Sequence, residues 1–241
     1  MKKIQIENLN KLIQKIAEDI KKEVKNKEFY CIIADGTGFG YADTYKLSWK
    51  RGKELRKVKS HVKTEILIGI VKGIKVVIGV NTGKAYSDEC KLLTPMLDNI
   101  VFGARYFLGD AYYGKEKIIK KVEELGMRAI IPVKDTTHKR VRNEYRKKAK
   151  ENYEKNKDIY KKERYKIEQL IGNIKNEFKD RDNLKDLDMA RLHVIARFII
   201  YNIIVLAKII FFLIFWLFLR VTLETRKINY FGFFKQPQFF F

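Results

Sequence analysis

Cysteine is nearly absent. The chain has two, Cys31 and Cys90, without metal-ligand spacing, and Cys31 lies inside an apolar run. This excludes a disulfide framework and a cysteine-based zinc site, and a reducing interior is expected. Histidine is almost as sparse. His61, His138 and His193 are scattered, which leaves no histidine-based catalytic or zinc constellation; His193, in a mostly apolar helical stretch, is expected to be a packed imidazole. Only three prolines occur, while Lys and Ile abound, a balance found in AT-rich genomes and in thermophiles alike. The N-terminal MKKIQIENLNKLIQK is charged throughout and has no apolar signal-peptide region. No internal repeat is visible. The most telling shortage is acidic: 29 Asp and Glu stand against 51 Lys and Arg, a net charge of +22. That imbalance makes a polyanion the expected partner, with an anionic membrane as the alternative.

What is present supports a folded chain. At 46% hydrophobic residues it can build a core, so general disorder is excluded. Its 241 residues suit one large domain, or one domain with appendages.

Residues 4–26 have a helical period at Leu9, Leu12, Ile13, Ile16, Ile20 and Val24. The uncharged run Phe29–Ala34 then leads into Asp35, with glycines at Gly36, Gly38 and Gly40. A short β-branched run bounded by turn residues reads as a buried strand with a carboxylate at its end. Gly36-Thr-Gly-Phe-Gly40 is not GxGxxG, and no helical pattern follows it, which argues against a dinucleotide site. A basic segment, Trp49–Lys59, comes next. The runs Ile66–Val71 and Lys75–Val80 are joined near Gly73 and complete a three-strand antiparallel meander. A helix over Asp88–Ile100, a strand Arg105–Leu108 ending in Gly109-Asp110, a helix Lys115–Leu125 stopped by Gly126, and a strand Arg128–Val133 follow. The strand–helix–strand order implies a parallel crossover. His138–Glu163 is basic, either a solvated helix or an arm; Tyr160–Phe178 and Asn183–Leu206 read as further helices. The fold class is therefore α/β, with a mixed five-stranded sheet flanked by helices and extra N- and C-terminal helices.

Three acids deserve to be considered together. A lone Asp at a strand end is commonly a cap or turn former. In a meander followed by a crossover, however, strands one and four are commonly parallel neighbours, so Asp35 and Asp110 would lie at adjacent C-terminal ends. Two carboxylates that close repel, and a divalent cation relieves the repulsion. Arg164, Glu168 and Lys175 step by about +40° and −20° around a helix and share one face. That face is either a salt-bridged solvent surface or the source of a third acid, Glu168.

IADGTGF around Asp35, FLGDAYYG around Asp110 and Arg164-x3-Glu168-x6-Lys175 resemble the DDE transposases of insertion sequences, which share a ribonuclease-H-like catalytic fold. Thr82-Gly83 with Asp88, and AIIPVK at 129–134, are similar too. The acid spacings of 75 and 58 residues suit that fold, and the match covers roughly residues 29–207. The family's signature Tyr stands three positions before the Arg; here that position is Lys161, with Tyr160 one further away.

The resemblance implies that Asp35, Asp110 and Glu168 hold two Mg²⁺ or Mn²⁺ ions for phosphodiester cleavage and strand transfer. Arg164 and Lys175 would hold phosphate oxygens. Lys53, Arg56, Lys57, Lys59, Arg140, Arg142, Arg146 and Lys147 would attract DNA non-specifically, or simply be solvated charge. DNA ends and target are the implied partners, with a homodimer assembled on DNA, in the cytoplasm with the nucleoid. Family members carry a helical DNA-binding region before the first acid. Here 34 residues precede Asp35, so the chain reads as a truncated copy, active or decayed. A ribonuclease-H-like nuclease without strand transfer is one alternative; a membrane-anchored basic protein without catalysis is another.

The C-terminal part is unlike the rest. Phe198–Leu219 carries one charge, Lys208, between Arg197 and Arg220. It is long enough to span a bilayer, at a cost of about 2.5–3.5 kcal/mol for the central Lys. The other reading ends the last core helix near Ala207 and makes 208–241 an aberrant, aggregation-prone extension. The expected division is an N-terminal helix at 1–28, a catalytic domain at 29–207 and the extension at 208–241.

Overall fold

The computed structural model describes residues 6–50, 54–133 and 143–225. Helix α1 (Ile6–Glu23) buries Ile13, Ile16, Ala17 and Ile20, the stripe set by its 3.6-residue period. Strands β1 (Phe29–Lys50), β2 (Glu54–Val71) and β3 (Ile74–Gly83) form the antiparallel meander. Lys72 and Gly73 turn β2 into β3 with φ of +47° and +83°. Two consecutive left-handed residues make the tight hairpin whose twist suits the strands.

Helix α2 (Glu89–Asp98) starts at Asp88, whose side chain accepts from Lys91 N at 3.2 Å. Strand β4 (Ala104–Leu108), helix α3 (Glu116–Glu124) and strand β5 (Arg128–Ile130) form the parallel crossover. Helices α4 (Glu144–Lys155) and α5 (Lys157–Phe178) follow; then come a two-residue strand β6 (Arg181–Asp182) and the long helix α6 (Leu187–Thr225).

The sheet order is β3-β2-β1-β4-β5, with β6 added to β1. Among the described residues the mixed sheet has six strands, one more than expected. The extra strand pairs Gly40 with Arg181 and Tyr41 with Asp182, beyond the reach of β4. β1 and β2 are also far longer than their apolar runs, because the basic segment pairs with itself as a hairpin.

Apolar side chains fill both faces. Ile32, Ala34, Leu67 and Phe107 pack with Leu93, Leu97, Ile118, Ile119 and Val122 of α2 and α3. Cys31, Ile33, Ile66 and Leu108 pack with Ile167, Leu170 and Ile174 of α5 and Val194, Ile195 and Phe198 of α6. Burying a residue such as Ile33 or Ile167 is worth about 1.5–3 kcal/mol. Alternation along Cys31–Ala34 thus assigns odd residues to the α5 face and even residues to the α2–α3 face, which decides where Asp35 points.

Candidate active site

Asp35 follows Cys31 and Ile33 on the α5 face. It is not at the end of its strand, as its sequence suggests: β1 continues to Lys50 along β2. The parallel pairing is what ends there. Ile33 is opposite Leu108, the last β4 residue. Asp35 and Asp110 therefore each lie two residues beyond the final pair of two adjacent parallel strands. Asp110 turns out of the ladder and caps the 3-10 turn Ala111–Tyr113, its Oδ1 accepting from Tyr112 N at 2.8 Å. That bond fixes the Asp110 side chain at the mouth of the strand.

Helix α5 lies over this face and brings Arg164 and Glu168. Arg164 Nη2 donates to Asp35 Oδ1 at 2.9 Å, and its Nη1 to Glu168 Oε1 at 3.3 Å. Asp35 and Arg164 side chains are 17% and 13% exposed, so water screens their pair little; Glu168, at 58%, faces solvent. Burial pushes the Asp35 carboxyl above its usual range; Arg164 and the Gly36 backbone N–H pull it down, and the charges of Asp110 and Glu168 push it up again. The charges of Asp110 and Glu168 thus both reach Asp35, and the Arg164 guanidinium is the cation between Asp35 and Glu168.

Tyr160 stands one helical turn before Arg164. Burial raises its phenol, the Arg164 charge pulls it down, and the Asp110 charge raises it again. Four residues along a helix is the spacing that puts two side chains on one face, so Tyr160 and Arg164 share the side of α5 that covers the sheet. Lys175 reaches β1: its Nζ donates to Gly38 O at 2.9 Å, pairs with Asp180 Oδ1 at 2.9 Å and lies 5.2 Å from the Phe39 ring centre. It is therefore anchored to the glycine-rich segment after Asp35. Arg146 and Lys147 fall in the first turn of α4. Lys53, Arg140 and Arg142 lie outside the described residues, and Arg56, Lys57 and Lys59 lie on β2 with side chains outside that set.

His193 is not a packed imidazole. Its side chain is 56% exposed, and Nδ1 lies 2.8 Å from Asp182 Oδ1, which also accepts from buried Arg197 Nη2 at 2.5 Å. The partner is Asp182 on β6, an element with no sequence signal of its own. Cys31 and Cys90 are free, buried thiols.

Among the described residues, no three His, Cys, Asp or Glu side chains stand close enough to hold one metal ion. The donor chemistry nevertheless suits a hard divalent cation: Asp35 is an oxygen donor pushed up by the charges of Asp110 and Glu168, and Arg164 offsets only part of that. The helix Leu187–Leu219 is long and apolar enough to cross a membrane by length and composition. Val194, Ile195, Phe198, Asn202 and Ile209 within it are buried in the fold.

A mixed sheet with acids beyond two adjacent parallel strands, and a third acid on a helix laid across them, is consistent with a ribonuclease-H-like transposase architecture. Residues 26–203 match the family described as Transposase DDE domain. That is well over half of the chain, and the chain belongs to this family. It is also similar to an uncharacterized protein of Aquifex aeolicus (strain VF5), 54% identical over 203 residues, which are 84% of this chain and 63% of that protein.

Proposed function

We propose that this chain is a DNA transposase catalytic unit that cuts phosphodiester bonds at transposon ends and joins the freed 3′-hydroxyl to target DNA. The observation that carries the reading is the shared geometry of Asp35 and Asp110, two residues past the last β1–β4 pair, with Glu168 tied toward Asp35 through Arg164.

Asp35 and Asp110, with Glu168, are the residues that would hold Mg²⁺ or Mn²⁺. When bound, such ions activate a water or 3′-hydroxyl and stabilise the departing oxygen of an in-line displacement. The protein side of the chemistry follows from the arrangement. Burial of Asp35 makes its charge costly, and a cation beside it would offset that cost. Arg164 neutralises part of that charge and keeps Glu168 turned toward β1. Lys175, held by Gly38 O, fixes a positive charge beside the backbone that follows Asp35 and is suited to a phosphate oxygen. The net charge of +22 draws in the DNA backbone, with the basic residues at 53–59 and 140–147 as its proposed contacts. A dimer assembled on DNA, located with the nucleoid, completes the proposal.

A strand-transfer assay with a labelled 3′-hydroxyl end tests it. The expected result is a joined product that depends on divalent metal. Cleavage without joining would leave a hydrolytic nuclease and remove the transposition reading. Asp35→Asn, Asp110→Asn and Glu168→Gln should each abolish cleavage and leave DNA binding largely intact; cleavage surviving in one variant excludes that residue from the chemistry.

A further inference from the structure

The face of the sheet opposite Asp35 holds a second buried polar group. Glu65, at 0% exposure, sits in β2 directly opposite Gly36. Tyr113, equally buried, donates its hydroxyl to Glu65 Oε1 at 2.6 Å. Tyr113 closes the turn that Asp110 caps, and Gly36 follows Asp35. One hydrogen bond therefore connects the turn holding Asp110 to the ladder position beside Asp35, through the core side of the sheet.

The other oxygen, Glu65 Oε2, is buried without a partner. A Cβ on residue 36 would lie 3.1 Å from it and 2.7 Å from Glu89 Oε1. Glu89 Oε1 also accepts from Lys63 Nζ. The titratable groups facing Glu65 are Tyr113 from the turn, Glu89 and the Cys90 thiol from α2, Lys63 from its own strand and Asp35 through β1. Burial pushes the Glu65 carboxyl well up, Glu89 and Asp35 push the same way, and Tyr113 and Lys63 oppose them.

We propose that Glu65 and Tyr113 are positioning residues, a buried strut that sets the separation of Asp35 and Asp110 from behind the sheet. The proposal rests on the reading of those two acids as cation ligands. Glu65 accepts from Tyr113 with one oxygen, and that single bond is the strut. A glutamine keeps it without a charge: its amide oxygen accepts from the Tyr113 hydroxyl.

The test is Mn²⁺ binding to the full chain by titration calorimetry, with folding followed by circular dichroism. Glu65→Gln should bind Mn²⁺ as the unaltered chain does. Tyr113→Phe should remain folded and bind about 10-fold or more weakly, the loss usual for groups that orient metal ligands. Because Tyr113→Phe alone strands a buried carboxyl oxygen, it is repeated in the Glu65→Gln background, where no charge is left unpaired; the same loss is expected. Tyr113→Phe in that background binding Mn²⁺ with unchanged affinity, while Asp35→Asn/Asp110→Asn binds none, overturns the strut and leaves the ligand reading standing. Absence of Mn²⁺ binding by the unaltered chain, or binding that survives Asp35→Asn/Asp110→Asn, overturns the ligand reading and the strut with it.

Discussion

Asn202 offers the sharpest energetic test of the fold. β3 is an edge strand, and a buried edge with unpaired backbone groups is costly. Asn202, fully buried on α6, meets that need: its Nδ2 donates to Val77 O at 2.7 Å and its Oδ1 accepts from Val77 N at 2.9 Å. Asn10 of α1 makes the same pair with Val80, at 2.7 and 2.9 Å. Val77 and Val80 are three residues apart, yet both turn outward. The reason is the irregularity opposite Leu67 and Ile68, where Ile78 has no ladder partner. Asn202→Ala deletes two hydrogen bonds and strands a buried N–H and C=O. At about 1–3 kcal/mol per stranded group, the expected loss is about 2–6 kcal/mol. Asn10 is only half-buried, so water takes its place in Asn10→Ala and the loss should be about 1 kcal/mol. Urea titrations followed by circular dichroism give both values from the midpoint shift at constant slope. An Asn202→Ala shift below about 0.5 kcal/mol, or one no larger than that of Asn10→Ala, would refute the edge-clamp argument.

Three further outcomes follow. Asp35→Asn should be more thermostable than the unaltered chain at neutral pH. Its folded-state pKa is raised above the unfolded one, so the charged carboxylate costs stability at high pH, and the advantage should fade as pH falls toward the unfolded carboxylate range near about 3.9. Equal melting temperatures at neutral pH would contradict this. Asp182→Asn removes the carboxylate beside Arg197, whose side chain is 3% exposed, and should cost about 3–5 kcal/mol in a urea titration because a buried guanidinium is left without its counter-ion. Chelation of divalent ions should stop cleavage reversibly, with Mn²⁺ restoring it; cleavage unaffected by chelator would remove metal from the mechanism.

How far the sequence could be read depended on whether a residue's role was local. Phe29–Ala34, Ile66–Val71 and Arg105–Leu108 are visible as strands because their apolar runs are continuous, as suits strands buried on both faces. The hairpin beyond Gly40 was not, since WKRGKELRKVK carries no alternating apolar signal; its strands are held by each other. β6 is two charged residues with no strand propensity. It forms because Gly40 N donates to Asp180 O at 2.9 Å and Asp182 is held by Arg197. Asp35 and Asp110 stand out as candidates by their positions after apolar strand runs, and Glu168 shares a helix face with Arg164, a spacing that by itself fits a solvent salt bridge equally well. The direct Arg164–Asp35 bond depends on where α5 crosses the sheet, which no local pattern encodes. Glu65 had a signal that went unused: it is the one acid in the otherwise uncharged run Thr64–Val71, and such an acid is buried at a cost only a partner can offset.

The same distinction decides how α6 should be understood. Hydropathy treats Phe198–Leu219 as one segment, but its polar residues divide it. Arg197 donates to Lys179 O and Asp182, and Asn202 clamps β3, so this part of the helix is fixed to the fold by bonds a lipid-facing segment could not keep. Farther along, Phe211, Ile214, Phe215 and Leu217 are exposed. The family match ends at residue 203, within one residue of that last clamp, while the helix itself continues unbroken to Thr225. Helix propensity and apolar content carry the backbone onward, but they do not say what it packs against. Buried polar side chains do, because each must find a specific partner. In this chain Arg197 and Asn202 fix the first half of α6 to the sheet by specific bonds, and fully buried Ile209 shows that its apolar packing continues beyond them.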